Sequence, residues 1–438
     1  MTSNILNQEF FLDYFRAAEK PRDQWKLGLE QEVMGYRWKT QERLNYKDHV
    51  LGLLHSFEDR FGWKGYYEKE NLIGLKKDGS SITIEPGAQL ELSMKPMATI
   101  GEIAAELQTY REQLAILTSE TDWTWLSMGY DPICQPEQVQ WVPKDRYRVM
   151  GEYLPGLGEG AWHMMKTTCT AQSNLDYSSE ADMVAKLRAT TALAPYVNIL
   201  FATSPFCGGQ PSGCKSRRGW AWRHMSPQHS GFLDFIFDEG FGYQQYIDYI
   251  INVPMLVLER DGQVIDTRGL DFKQFMNEGF NGLSPAAVDW KVQLGATFPV
   301  ARLRNAIETR TADAGPVPLL LGQAAFWKGL VYDQTSLDRA NALIEKMGPG
   351  FFKSLHQEAY CQGFDYLKQH AETEWILGDL LEWSQAGLER LGADEAKYLE
   401  PVHRIFERKE SIADRLLAGV AQGRPLLELF EEEAVVFV

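Results

Sequence analysis

The segment KLGLEQEVMGYR, Lys26 to Arg37, constrains the fold of this chain more than any other. Leu29, Gln31 and Val33 alternate with Glu30 and Glu32. In a strand, residues two apart share a face, so the two carboxylates point the same way. A solvated face would also carry such a pair, and taken alone the segment leaves both readings open. A second stretch, SITIEPGAQLELS from Ser81 to Ser93, repeats the pattern: Ile82 and Ile84 alternate with Thr83 and Glu85, and Leu90 and Leu92 with Gln89, Glu91 and Ser93. The Pro86-Gly87 turn leaves the parity across it open. Two acid-bearing strands with apolar backs call for a sheet buried on one side.

Other segments build around that sheet. KTTCTAQSNLDY reads as a strand over its length, with Thr168, Thr170, Gln172 and Asn174 on one face and Cys169, Ala171, Leu175 and Tyr177 on the other. TIGEIAAELQTYREQLAILTS reads as a helix. Thr99 and Glu102 have capping-box spacing, and Ile103, Leu107, Tyr110, Leu114 and Leu117 form its apolar stripe. Ser179 and Asp182 open another helix, and Asp261-Gly262 marks a hairpin turn within VPMLVLERDGQVIDTRG. From about Pro316 onward the pattern is helical, with Gly392 as a C-cap. The element order predicts an α+β fold, an antiparallel sheet with interleaved helices over 1–315 and a helical region over 316–438 packed on it. The first 26 residues read as an amphipathic helix ended near Pro21, without the apolar core of a signal peptide.

With 44 basic and 60 acidic side chains the net charge is −16, a surface that repels nucleic-acid phosphates and anionic lipid. No run of about 18 apolar residues is present to span a membrane. Five scattered cysteines point to a reducing, cytoplasmic setting rather than a disulfide framework, and Cys207 and Cys214 lack the second pair that a zinc site needs.

Glu30, Glu32, Glu85 and Glu91 on polar strand faces, with Gln172 and Asn174 beside them, make an oxygen-rich set of the kind that holds Mg²⁺. Without a cation such carboxylates would raise one another's pKa. In RLRNAIETRTADAG, Glu308 and Arg310 share a face, either as a plain ion pair or as a metal ligand beside a phosphate-binding guanidinium. GGQPSGCKS and GLGEG lack the context of phosphate loops, and His163 reads as structural. No G-x-S-x-G, H-E-x-x-H or C-x-x-C motif occurs, so a hydrolase or a thiol nucleophile has no support.

The segments GLEQE, NLIGLKKDGSSITIEPGAQLELS, VPKDRYRVMGEYLP, MMKTTCTAQSNLDYSSEADM, LFATSPF, FDEGFGYQQYIDYIINVPM, TFPVARLRNAIETRTADAGP and AAFWKGLVYD occur in this order over roughly residues 25–335. Together they resemble the glutamate–cysteine ligases of the plant and proteobacterial type. The resemblance implies a glutamine-synthetase-like catalytic sheet and ATP-driven formation of a γ-glutamyl amide, the first step of glutathione synthesis. It implies that Glu30, Glu32, Glu85, Glu91, Gln172 and Glu308 hold Mg²⁺ around the ATP phosphates. Glu30, Glu85 and Glu308 are then catalytic together with Arg310 on the phosphate side. Arg146 and Arg218, with Asn174, would bind substrate.

Glutamate, cysteine and ATP are the expected partners of a monomer or homodimer. Three positions depart from the family pattern: His229 and Thr167 replace arginines, and Gln293 replaces a histidine. The cysteines of the plant redox disulfides correspond to Ala104, Thr267 and the neighbourhood of Asn281, so redox switching of that kind is not expected. His229 would fall on a partly exposed outer loop. Two alternatives stay open: a γ-glutamyl ligase with another amine acceptor, and a guanidino kinase of the same superfamily.

Overall fold

A computed structural model describes residues 6–437. Its strands are β1 (Leu27–Arg37), β2 (Lys64–Glu68), β3 (Asn71–Lys77), β4 (Ser80–Ile84), β5 (Leu90–Ser93), β6 (Trp123–Leu126), β7 (Ala171–Leu175), the hairpin β8 (Val257–Arg260) and β9 (Gln263–Asp266), then β10 (Ala301–Leu303), β11 (Ile307–Thr309) and β12 (Val435–Phe437). The main sheet runs β10-β11-β7-β1-β5-β4-β3-β2, every neighbour antiparallel. The second half of β1 pairs with β6, and β12 pairs with β6 in turn. Alternation sends Leu29, Val33, Ile82, Ile84, Leu90, Leu92, Leu175 and Ile307 into the core and leaves the acids on the other face.

The helices that matter here are α1 (Gln8–Arg16), α2 (Ile100–Thr118), α3 (Asp145–Tyr153), α4 (Ala161–Thr167), α5 (Glu180–Ala192), α6 (Arg217–Arg223), α7 (Val317–Tyr332), α8 (Pro349–Gln362) and α9 (Ala371–Leu391). Apolar around its whole circumference, α7 is buried on all sides and packs on β1 and β7. Its Gln323 satisfies two polar residues of the sheet's apolar back, accepting from the Ser173 hydroxyl at 2.7 Å and donating to Thr309 Oγ1 at 3.2 Å. Helix α9 packs on α7 where Gly329 meets Ser384, and a Cβ on Gly329 would lie 2.2 Å from the Ser384 carbonyl. One apolar core runs from Leu6 to Ala434 through sheet and C-terminal helices alike. Among the described residues no helix is long and apolar enough to cross a membrane.

The capping box of α2 is present, with Glu102 N donating to Thr99 Oγ1 at 3.1 Å and Thr99 N to Glu102 Oε2 at 2.9 Å. The Asp261-Gly262 turn is also as expected, both residues having positive φ. Four expectations need correction. Strand β7 covers only Ala171–Leu175 of KTTCTAQSNLDY, because Thr167 and Thr168 return their hydroxyls to the His163 and Met164 carbonyls, both at 2.6 Å, at the end of α4. Helix α1 ends at Arg16 rather than near Pro21, and the first five residues of that segment lie outside the described residues. A strand, β12, follows the C-terminal helices. Cys214 and Cys361 are joined in a disulfide, while Cys134, Cys169 and Cys207 are free. That pair is 147 residues apart, and only the approach of α6 to α8 brings it together.

Candidate active site

Strand register assembles the acids. In β1, Glu32 lies opposite Glu91 of β5, and Glu30 opposite Gln172 of β7. One strand further, Glu308 lies opposite both Asn174 and Arg302. Directly opposed residues share a face, so these side chains form one row across five strands. Glu85 joins them from the end of β4. The turn that follows it admits only glycine at position 87, where a Cβ would be 2.2 Å from the Lys166 carbonyl.

A smaller apolar cluster faces this row. Val149, Met150, Met164, Met165, Ala221 and Val257 tie together α3, α4, α6 and the β8–β9 hairpin. Between this cluster and the acidic sheet face lies a cavity of about 930 Å³. Nine of the ten residues singled out from the sequence line it: Glu30, Glu32, Glu85, Glu91, Gln172, Glu308, Arg146, Arg218 and Arg310. Asn174 does not. Its amide donates to Glu30 Oε1 at 2.8 Å, which places it beside Glu30 rather than on the cavity wall.

Each acid has a distinct set of partners. Glu30 also accepts from Gln172 Nε2 at 3.1 Å, Glu32 from the Thr170 backbone N–H at 2.9 Å, and Glu91 from the hydroxyls of Thr83 at 2.5 Å and Ser93 at 3.2 Å. The Tyr147 hydroxyl donates to Glu85 at 3.3 Å. Glu308 alone meets cations directly: it is gripped by Arg302 at 2.8 Å and by Arg310, whose guanidinium also donates to Gln172 Oε1 at 2.8 Å. The plain Glu308–Arg310 pair suggested by the sequence is therefore a three-membered network.

The electrostatics follow this division. Burial, with Glu91 and Glu308 nearby, pushes Glu30 up to about 8. Burial and Glu91 push Glu85 up to about 7, and burial with Glu85 and Glu91 holds Glu32 well above the carboxylate range. Glu308 goes the other way: burial opposes the shift, yet Arg302, Arg310 and Arg304 hold it down to about 2.

The donor set fits Mg²⁺, being rich in oxygen, at least half-buried and, for Glu30, Glu32, Glu85 and Glu91, self-repelling. No three acids, histidines or cysteines among the described residues already close on one metal-sized point. Mg²⁺ does not require that, since it keeps several waters and takes one or two carboxylates plus phosphate oxygens.

Arg218 is anchored for a different task. Its Nη2 donates to the Arg310 carbonyl at 2.7 Å, and burial draws its pKa down to about 10 against the pull of Asp313 and Glu32. Asp313 braces the start of α6, accepting from the hydroxyls of Ser216 and Ser204, both at 2.6 Å, and from the Thr203 N–H at 3.0 Å. Arg146 on α3 donates to the Gly295 carbonyl at 2.7 Å.

Several lining residues escape sequence reasoning. Lys144 is an almost buried ammonium whose Nζ donates to the Ile84 carbonyl at 2.7 Å, one residue from Glu85. Tyr147, Arg302 and Arg304 also line the cavity. Lys144 and Tyr147 flank Arg146 in KDRY, and that spacing around a singled-out arginine was the available signal. The three departures from the family pattern all lie off the cavity wall. His229 is fully buried, not on an exposed loop: its ring nitrogens contact Ser226 Oγ at 2.8 Å and the Pro254 carbonyl at 3.2 Å. Gln293 donates to the Ile250 and Val253 carbonyls, and Thr167 is held on His163.

A family model described as glutamate-cysteine ligase family 2 matches residues 26–432. The chain belongs to that family. It is similar to proteins named chloroplastic glutamate–cysteine ligases, from Brassica juncea and from Arabidopsis thaliana. Each is 35% identical over 431 residues, which cover 98% of this chain and 82% and 80% of the respective relatives. Its fold resembles the solved glutamate–cysteine ligase of Francisella tularensis in complex with AMP. The TM-score is 0.56 at 15% identity, over 93% of this chain and 86% of that one. The antiparallel sheet with a helical C-terminal region is thus the fold of this family 2 chain.

Proposed function

We propose that the protein joins the γ-carboxylate of L-glutamate to the amine of L-cysteine at the expense of ATP, with the row of acids as its metal-holding wall. The observation that supports this reading is the register Glu32–Glu91 and Glu30–Gln172, which sets carboxylate and amide oxygens on one side of a single cavity bordered by Arg146, Arg218 and Arg310. Family membership supports the substrates.

A carboxylate is a poor acylating agent, so it must first be activated. A γ-carboxylate oxygen of glutamate attacks the γ-phosphorus of ATP, the bond to the β-phosphate oxygen breaks, and ADP leaves. The cysteine amine then attacks the acyl carbon, loses a proton, and expels inorganic phosphate. Neither step needs a covalent protein group; both need alignment and charge neutralisation. Arg218 and Arg146 would hold glutamate by its α-carboxylate, and Arg310 would face the transferring phosphoryl group. Glu30, Glu32, Glu85, Glu91, Gln172 and Glu308 would hold Mg²⁺, which when bound neutralises phosphate oxygens and relieves the repulsion among the acids. The apolar cluster opposite, with Met150, Met164 and Met165, excludes water that would hydrolyse the acyl phosphate.

Cysteine is the acceptor in this reading because the departures at His229, Gln293 and Thr167 do not reach the cavity. The reaction is assigned to the cytoplasm, although the plant relatives are named as chloroplastic. Phosphate release from ATP and glutamate should be measured with cysteine, 2-aminobutyrate, serine and simple alkylamines. Cysteine and 2-aminobutyrate should lead. A lead by simple alkylamines would leave only a general γ-glutamyl ligase, and a stable phosphorylated product without amide would identify a kinase.

A further inference from the structure

The turn that carries Glu85 is held in a conformation its sequence does not favour. Ala88 has a φ of 64°, in the left-handed region that a residue with a Cβ adopts rarely and only where its surroundings force it. Within the turn, Glu85 N donates to the Gln89 carbonyl at 3.0 Å and Ala88 N to the Glu85 carbonyl at 2.9 Å. Around it, Val142 N donates to the Pro86 carbonyl at 2.9 Å. The buried Arg43, ion-paired with Asp131, donates through Nη2 to the Gly87 carbonyl at 3.2 Å.

The side chain of Gln89 joins this turn to α4. Its Oε1 accepts from Gly87 N at 2.8 Å, while Nε2 donates to the Thr168 carbonyl at 3.0 Å and to the Met165 carbonyl at 3.3 Å. Those carbonyls lie at the C-terminal end of α4, where a helix leaves its last acceptors without partners. Cys169 N, one turn beyond Met165, goes instead to the Gly129 carbonyl at 3.0 Å. Gln89 thus caps α4 with its NH₂ group and closes the acid-bearing turn with its oxygen. The residue borders the cavity but is only 1% exposed, and its amide is committed to backbone on both sides.

The two parts that Gln89 joins have different tasks. The turn presents Glu85 to the cavity, and α4 presents Met164 and Met165. We propose that Gln89 is a positioning residue, a strap that holds the acidic wall against the methionine side and so keeps the γ-glutamyl phosphate from water. This rests on the amide-forming reaction proposed for the cavity. Where the strap fails, water competes with the amine. Its oxygen attacks the acyl carbon, the bond from that carbon to the phosphate oxygen breaks, and glutamate, hydrogen phosphate and a proton are released. ATP is then consumed without amide formation.

The test compares phosphate released with amide formed, using the full chain at saturating ATP, glutamate, cysteine and Mg²⁺. The unaltered protein should give equal amounts. Gln89→Met keeps the volume and loses the bonds to Gly87, Met165 and Thr168. It should release about two or more phosphates per amide, with the KM for glutamate within about twofold of the unaltered value. Gln89→Asn keeps the amide but is one methylene too short to span turn and helix together. It should show the same excess, and it carries the test if Gln89→Met does not fold. Val402→Ala opens a cavity among the C-terminal helices, off the cavity wall; it should lower Tm and stay coupled. In the substrate-free chain, backbone amide exchange over residues 84–90 and 163–170 should quicken together in the Gln89 variants and not in Val402→Ala. Equal phosphate and amide in the Gln89 variants, or a matching excess in Val402→Ala, would overturn the strap alone. Unaltered protein that forms no amide with cysteine would overturn the reaction and the strap's role together.

Discussion

Glu32 and Glu91 lie directly opposite each other across β1 and β5, two half-buried carboxylates in register. Like charges so placed destabilise a sheet. Replacing either by glutamine keeps the volume and removes one charge. Glu32→Gln and Glu91→Gln should therefore keep or raise Tm while lowering kcat at least about 100-fold, roughly 2.7 kcal/mol of transition-state stabilisation. The loss should be largest at low Mg²⁺. Steady-state rates across a Mg²⁺ series check this, and near-normal activity in both variants would dissolve the metal-holding wall.

Arg218→Lys should raise the KM for glutamate about 10- to 150-fold, matching about 1.5–3 kcal/mol for a charged hydrogen bond, because an ammonium cannot reproduce the guanidinium fork. The KM for ATP should move far less. A glutamate KM that stays put would remove Arg218 from the substrate site.

Asp313→Asn tests whether α6 must be braced. Asparagine retains an acceptor oxygen but loses the charge that faces Arg218 and one of the three accepting contacts. A stability loss of about 1–3 kcal/mol is expected, with a smaller rise in glutamate KM than in Arg218→Lys. Denaturant melts and glutamate titrations measure the two effects, and the reverse order of KM effects would contradict the bracing role.

Without Mg²⁺ the protein should lose stability as pH rises. Glu30 and Glu85 are raised to about 8 and about 7 in the folded chain, above the ordinary carboxylate value in the unfolded one. Such groups favour the folded state fully below the unfolded pKa, and that contribution disappears as pH climbs through the folded values. Tm in a chelator should fall between about pH 5 and pH 8, and Mg²⁺ should restore most at the alkaline end. Glu308 acts in the opposite sense, its contribution disappearing only as pH falls towards about 2, outside this window. A flat Tm profile in chelator would refute the crowding of the acids.

The disulfide Cys214–Cys361 closes a loop spanning 147 residues. Cys214→Ser with Cys361→Ser should cost about 2–5 kcal/mol of stability, with little change in kcat, since neither residue lines the cavity. Thiol counting before and after reduction, with melts of both forms, checks it.

Much of the wall was legible because period-two alternation reports a face locally. Glu30 with Glu32, and Glu91 within LELS, needed only their neighbours to be placed. Where the pattern misled, a competing interaction had won: Thr167 and Thr168 alternate properly for a strand, but their hydroxyls are spent on the last turn of α4. His229 sits in a polar segment and looks exposed, yet Ser226 and the Pro254 carbonyl satisfy it inside the core. Lys144, the third member of the Arg302–Glu308–Arg310 network and the Cys214–Cys361 pair depend on contacts between distant segments, which no local periodicity encodes.

The order of residues along the sheet also sets an order in time. Glu30, Glu32, Glu85 and Glu91 are all synthesised before any of Arg218, Arg302 and Arg310, and 211 residues separate Glu91 from Arg302. At ribosomal speeds of about 5–20 residues per second, that gap lasts about 10–40 s. Through that interval the central strands of a nascent chain carry their acids with no guanidinium from β10 or β11 to meet them. Pairing of β1 with β5 in a nascent chain would thus set Glu32 against Glu91 before Arg218, the guanidinium whose charge reaches Glu32, has been made.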